Sequence, residues 1–147
     1  MNKKILLGLG AIAIIIGIST PKIMSATSKT SFCIKCHVME KEYFELVRGA
    51  VHANVECVQC HLPHDNKAYY LYFKTHSGIK DVISFYSGHV PEDIRASEST
   101  KEVIEGNCRN CHGELVSHVG KDKSWHCWDC HRTIAHRTNG IILNQNK

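Results

Sequence analysis

Four times the chain repeats one pattern, Cys-x-x-Cys-His: at Cys33, Cys36 and His37; at Cys57, Cys60 and His61; at Cys108, Cys111 and His112; and at Cys127, Cys130 and His131. The four copies use all 8 cysteines. Two thiols three residues apart lie on one side of a helical turn. They can form thioethers to both vinyl groups of one porphyrin, and the next residue, His, is then held beneath the iron. Paired Cys-x-x-Cys units also build zinc sites of four thiolates. The trailing His decides between the two. With 11 His in 147 residues, chance would put His after all four units about 3 times in 100,000. A disulfide framework leaves the His unexplained. Four covalently bound haem c groups are the expectation.

That expectation dictates the fold. The chain after residue 24 supplies about 30 residues per porphyrin, too few to build an ordinary apolar core and also enclose four rings. The fold class expected is mainly α: a small multihaem c-type cytochrome domain, with short helices and loops around a haem-packed core and an N-terminal transmembrane helix. Residues 1–24 form the anchor and 25–147 the tetrahaem domain. The formal net charge of +4 omits the haem propionates, which make the loaded protein near neutral or acidic. No basic stripe with interleaved aromatics accompanies it, so no nucleic-acid partner is expected.

Lys3 and Lys4 precede an uncharged run from Ile5 to Ile18. The run alone would span ~21 Å as a helix, and continuing it to Met24 reaches the ~30 Å of a hydrocarbon layer. Pro21 is expected to kink or end that helix. Small residues at Ala26, Thr27 and Ser28 allow cleavage but form no clean signal-peptidase site, so a retained anchor is expected. The two lysines hold the amino end in the cytoplasm and put the haem domain in the periplasm or on the extracytoplasmic face. Complete cysteine usage agrees with that compartment. Membrane lipid is therefore a partner.

Each iron has two axial positions. Beyond the motif histidines stand His52, His64, His76, His89, His118, His126 and His136. For most of them a solvated or locally bonded side chain is the plain reading. His52 lies five residues before Cys57 and His136 five after His131. So short a segment cannot easily wrap around a ring edge to the opposite face, so each is expected to ligate a haem other than its neighbour's. His64 and His89 are weaker candidates. Met39 follows only the first motif at this offset. A lone Met is usually a packing residue, but thioether ligation raises a haem's potential.

Between residues 68 and 86 the helical stripe Leu71, Ile79, Val82, Phe85 and Tyr86 adjoins a second one holding Lys74, Gly78 and Asp81. Lys74 and Asp81 share a face two turns apart, with Gly78 as an open notch. A helix covering haem with both charges solvated is the plain alternative. The aromatics Tyr69, Tyr70, Tyr72 and Phe73 suit a membrane interface. Ser99-x-x-Glu102 reads as a capping box opening the next helix.

Together the short anchor, the Cys-x-x-Cys-His-x-Met first motif and the three later motifs resemble the NapC/NirT family of membrane-anchored multihaem quinol dehydrogenases. The strings Val51-His52-Ala53-Asn54, Cys60-His61-Leu62-Pro63-His64 and Thr100-Lys101-Glu102-Val103 look like its small members that serve a nitrite reductase. The resemblance implies that Met39, rather than His37, ligates haem 1. His61 would ligate haem 2, whose other ligand is a lysine of the partner, a periplasmic multihaem reductase subunit. His112 and His136 would pair on haem 3, and His131 and His52 on haem 4. Lys74 and Asp81 match the pair lining the quinol pocket, with menaquinol as substrate. An electron carrier without a quinol site is a rival reading. A terminal reductase is disfavoured, because no motif carries the Cys-x-x-Cys-Lys variation.

Overall fold

The computed structural model describes residues 2–48, 51–92, 94–119, 125–131, 134 and 136. Seven α-helices and one 3-10 turn make up its regular structure, with no strand among the described residues.

Helix α1, Lys3–Ala26, is 24 residues long, about 36 Å. It is long and apolar enough to cross a membrane, and none of its window is buried. Pro21 does not end it, contrary to expectation, and α1 runs two residues past Met24. Proline costs the carbonyl one turn back its N–H partner. The carbonyl so freed is that of Gly17; the nearby hydroxyls bond others, Ser19 donating to the Ile15 carbonyl and Thr20 to that of Ile16 at 2.7 Å. Membrane-spanning helices tolerate proline, as α1 does.

Helix α2, Thr30–Cys33, the 3-10 turn His37–Met39, and helices α3, Glu40–Val47, and α4, Cys57–His61, follow. Helix α5, Lys67–Tyr86, is capped by Asn66, whose side-chain oxygen accepts from the N–H groups of Ala68 at 2.8 Å and Tyr69 at 3.1 Å. It ends at Ser87 and Gly88, the latter at φ 74°, a conformation glycine adopts without a Cβ penalty. Helix α6, Glu98–His112, is capped by Ser97 rather than Ser99. Ser97 has the extended backbone of a cap, and its hydroxyl accepts from the Thr100 N–H at 3.3 Å. Helix α7, Cys127–Cys130, closes the series.

The protein-only core is small. Leu62, Phe73 and Val103 cluster with Val58 and Tyr70 against them, and Leu46 is buried apart. Buried Asn107 locks α6 onto α4 by donating to the carbonyls of Cys60 at 2.9 Å and Leu62 at 2.8 Å. The apolar stripe of α5 does not join this core. Leu71, Ile79, Val82 and Tyr86 are exposed, Tyr86 by 83%, while Phe73 alone of α5 is buried. So few buried apolar side chains cannot offset the entropy of ordering such a chain.

Candidate functional site

The four motifs differ in backbone. In the second and third, all five residues lie within α4 and α6. In the fourth, Cys127 to Cys130 form α7 and His131 caps it, its N–H donating to the Cys127 carbonyl at 2.9 Å. In the first, the helix stops at Cys33, Cys36 is extended, and His37 to Met39 make a 3-10 turn. Met39 is half-buried there and His37 exposed. The Met39 N–H donates to the Cys36 carbonyl at 2.9 Å.

Neighbouring motifs are braced in chain order. Glu56, just before the second motif, accepts from the Thr30 N–H at 2.5 Å and from the Thr30 hydroxyl. Those bonds hold its carboxyl below the usual range. Thr30 in turn accepts from the Cys57 N–H at 3.3 Å. The Cys33 and Cys57 thiols act on each other, which lowers Cys57 to about 6 and raises Cys33. Asn107 joins the second motif to the third. Glu105 joins the third to the fourth, accepting from the Cys127 N–H at 3.0 Å and from Arg109 Nε at 2.9 Å. Burial works against the Glu105 carboxylate, but these bonds win and its pKa is lowered.

His61 is pushed down to about 4, first by burial and then by His136. It is a neutral imidazole, the form that binds metal. His52 has Nδ1 at 3.2 Å from the Ile134 carbonyl. His136 has Nδ1 at 3.1 Å from the Glu42 carbonyl and 3.3 Å from the Glu42 carboxylate. In both, an acceptor fixes Nδ1–H and leaves Nε2 as the free donor atom, the usual arrangement of a metal-ligating histidine. The rings in contact are His52 with His112, centroids 6.0 Å apart, and His61 with His136, 6.2 Å apart. The resemblance assigns the two members of each such pair to different irons, so the contacts run between neighbouring sites. The other histidines make local contacts. His64 lies against Tyr70, His76 on Tyr72, His89 by Ser87 and His126 on Trp128, while His118 is exposed.

Helix α5 carries the remaining candidates. Lys74 Nζ donates to the Met24 carbonyl at 2.9 Å and the Ser28 hydroxyl at 2.5 Å, which ties α5 to the end of α1. Burial lowers the Lys74 pKa. Partial burial raises that of Asp81, whose surface still reaches solvent, and Lys80 opposes the rise. The cation acting on Asp81 is Lys80 and not Lys74, which is turned to the end of α1. Gly78, between them, has nothing within 4 Å of where a Cβ would stand. One turn beyond Asp81, Phe85 packs on the His37 ring, centroids 5.6 Å apart. The first motif thus lies against the Asp81 end of α5. The braces Glu42, Glu56, Glu105, Ser28 and Tyr70 escaped the sequence reading. Only the short spacing of Glu105 and Arg109 gave a local signal.

Residues 1–141 match the NapC/NirT cytochrome c family, N-terminal region. The chain is 36% identical over 114 residues to cytochrome c nitrite reductase subunit NrfH of Nitratidesulfovibrio vulgaris, covering 77% of this chain and 70% of that one. It is 25% identical over 168 residues to the tetraheme c-type cytochrome CymA of Shewanella oneidensis, covering 89% and 90%. A crystal structure of the cytochrome c nitrite reductase NrfHA complex bound to the HQNO inhibitor superposes with a TM-score of 0.67 at 31% identity over 88% of both chains.

The chain belongs to the NapC/NirT cytochrome c family. Membership implies covalently bound haem c, and the residues fit it. All eight cysteines are unpaired thiols, three of the four motifs place their pair one helical turn apart, and most of the large apolar side chains among the described residues lie outside a protein core. The mainly helical fold with one apolar amino-terminal helix is that of this family of membrane-anchored electron-transport cytochromes.

Proposed function

We propose that this protein is a membrane-anchored tetrahaem cytochrome c that oxidises menaquinol and passes electrons to a periplasmic reductase, the pentahaem catalytic subunit of a nitrite reductase. The observation that carries the reading is the surface of α5: Lys74, the Gly78 notch and Asp81 lie in line between the exit of α1 and the first motif. A lipid-soluble substrate arriving along α1 meets that surface first.

The four haems, when bound, supply one-electron redox chemistry, which divides the two-electron oxidation of a quinol. The cysteine pairs of the four motifs hold them. Met39 would ligate the first, a role that its half-buried place in the 3-10 turn supports. His61 would serve the second together with a lysine of the partner. His112 and His136 serve the third, and His131 and His52 the fourth. The held Nδ1 atoms of His52 and His136 support their role as ligands.

At the quinol, Asp81 takes the hydroxyl proton. Its raised pKa makes the carboxylate a stronger base than a free one. Lys74 binds the quinol oxygen through an ammonium hydrogen. Oxidation of one quinol releases two protons to the extracytoplasmic face and two electrons to the relay. Lys3 and Lys4 keep the amino terminus cytoplasmic.

Asp81→Asn keeps the shape and removes the base. It should cut quinol-driven reduction by at least about 100-fold with haem content unchanged. Wild-type turnover in that variant would refute the site. Delivery to a different periplasmic reductase is the second reading, favoured by the match over nine-tenths of both chains to CymA, which is named a tetraheme cytochrome and not a nitrite reductase subunit. Co-purification from native membranes with mass spectrometry of the partner separates the two.

A further inference from the structure

The Ser28 hydroxyl lies beyond the last turn of α1, at the meeting of three groups, and no part of the proposed chemistry uses it. It donates to the Met24 carbonyl at 2.6 Å, receives Lys74 Nζ at 2.5 Å, and lies 3.0 Å from the Tyr70 hydroxyl. A serine hydroxyl has one hydrogen and two acceptor sites. Its hydrogen is committed to Met24 and one acceptor site to Lys74, so the Tyr70 O–H donates to the other. Ser28 is saturated, and its oxygen cannot turn without breaking a bond.

The same inventory applied to Lys74 is informative. An ammonium has three hydrogens. One goes to Ser28 and one to the Met24 carbonyl. One remains. Tyr70 and Lys74 are four residues apart on α5, so they project from one face, and the Tyr70 ring lies 6.0 Å from Nζ. A four-carbon stem that would otherwise sample many rotamers is thereby fixed.

We propose that Ser28, held by Tyr70, is a positioning residue that orients Lys74 for the quinol oxygen, so that the end of the membrane anchor is part of the substrate site. This rests on the quinol reading of Lys74. The alternative is a clamp that merely docks α5 on α1, and the two make different predictions. A docking clamp affects stability and haem content. A positioning residue affects substrate binding and its pH dependence, because Ser28 accepts from the charged form of Lys74 and so favours it.

The test uses the full-length holoprotein with its partner in membranes or detergent, with menaquinol analogues as substrate and HQNO as the binding probe. Ser28→Ala should raise KM and weaken HQNO binding by roughly tenfold, the size expected for losing one hydrogen bond to a charged group. The kcat should change little, and the alkaline limb of kcat/KM should move toward neutral pH. Ser28→Thr, which restores the hydroxyl, should recover both. Tyr70→Phe should give a smaller change of the same kind with a full haem spectrum, so the test survives if Ser28→Ala folds poorly. Lys74→Met serves as the control for the reading beneath. If Lys74→Met raises KM while Ser28→Ala and Tyr70→Phe leave KM, HQNO affinity and the pH limb unchanged, the positioning role is overturned and the quinol site stands. If Lys74→Met itself has no effect, the quinol reading falls, and this proposal with it.

Discussion

In the third motif the backbone stays helical from Cys108 to His112, and the residues before it, Val103 and Asn107, are the buried side of the same helix. In the first motif the helix stops at Cys33, Cys36 is extended and Met39 ends a 3-10 turn, half-buried. The third motif is fixed by protein contacts on both sides, through Asn107 to α4 and through Glu105 to α7. The first is braced to the second through Thr30 and Glu56 and otherwise meets α5 through the His37–Phe85 contact. A segment built as a relay can be rigid and closed. One that must admit a substrate from the membrane needs an irregular, accessible edge, and irregular backbone is where such access concentrates.

The sharpest way to break this comparison is at the axial positions. His112→Ala should convert one low-spin haem to high spin, while His37→Ala should leave the spin state of every haem as in the wild type. Met39→Leu should cost more than the ~10–100-fold typical of a group behind a ligand, and it should lower one reduction potential, because a thioether ligand raises it. Magnetic circular dichroism and potentiometric titration of each variant read both effects. Equal spectral losses in the His37 and His112 variants would show that the first motif is no different from the third.

A second effect sharpens the closed side of the comparison. Asn107→Ala leaves the Cys60 and Leu62 carbonyls without a donor, which should cost about 1–3 kcal/mol. The irregular side should lose less from Phe85→Leu, below ~1.5 kcal/mol, because the change conserves most of the volume. Thermal or denaturant unfolding of the holoprotein measures both.

The motifs and the apolar run were legible because their information is local. Thiol spacing, the trailing His and the length of an uncharged segment are read within a few residues. The helix that carries Lys74 and Asp81 was legible for the same reason, since its periodicity predicts α5. The groups that finish each site were not. Lys74 reaches Met24 and Ser28 across 50 and 46 residues, and His136 reaches Glu42 across 94. No local pattern encodes a contact that only the folded chain creates. The Ser97 cap was displaced from the expected Ser99 because two serines two residues apart both suit a helix start, and backbone geometry chose between them. Pro21 was misjudged because helices of apolar spans tolerate a proline that would end a helix in water.

Smaller effects separate the two distal histidines. The Nδ1 of His136 faces a carbonyl and a carboxylate, both from Glu42, whereas that of His52 faces a carbonyl alone. A carboxylate partner makes an imidazole a stronger electron donor. Glu42→Gln keeps the backbone carbonyl and removes only the charge, so if His136 ligates an iron as proposed, that iron should shift to a higher potential with its low-spin spectrum retained. A redox titration that superposes on the wild type would show that the carboxylate tunes nothing.

The smallest effect is a pH dependence, and its sign follows from Glu105. Hydrogen bonds from Cys127 and Arg109 overcome burial and depress its folded pKa below the ordinary carboxylate value. A depressed folded pKa stabilises the protein above the unfolded pKa, and that stability is lost as pH falls through the folded value. The brace between the third and fourth motifs should therefore hold at neutral pH and loosen only in acid, below roughly pH 4. In Glu105→Gln the titrating group is gone, so the acid-side fall in melting temperature should flatten relative to wild type, with a lower plateau at pH 7. If the variant instead parallels the wild type through the whole acid range, the carboxylate is not what couples those two motifs. The closed character of that end would then rest on Asn107 and on the haem linkages alone.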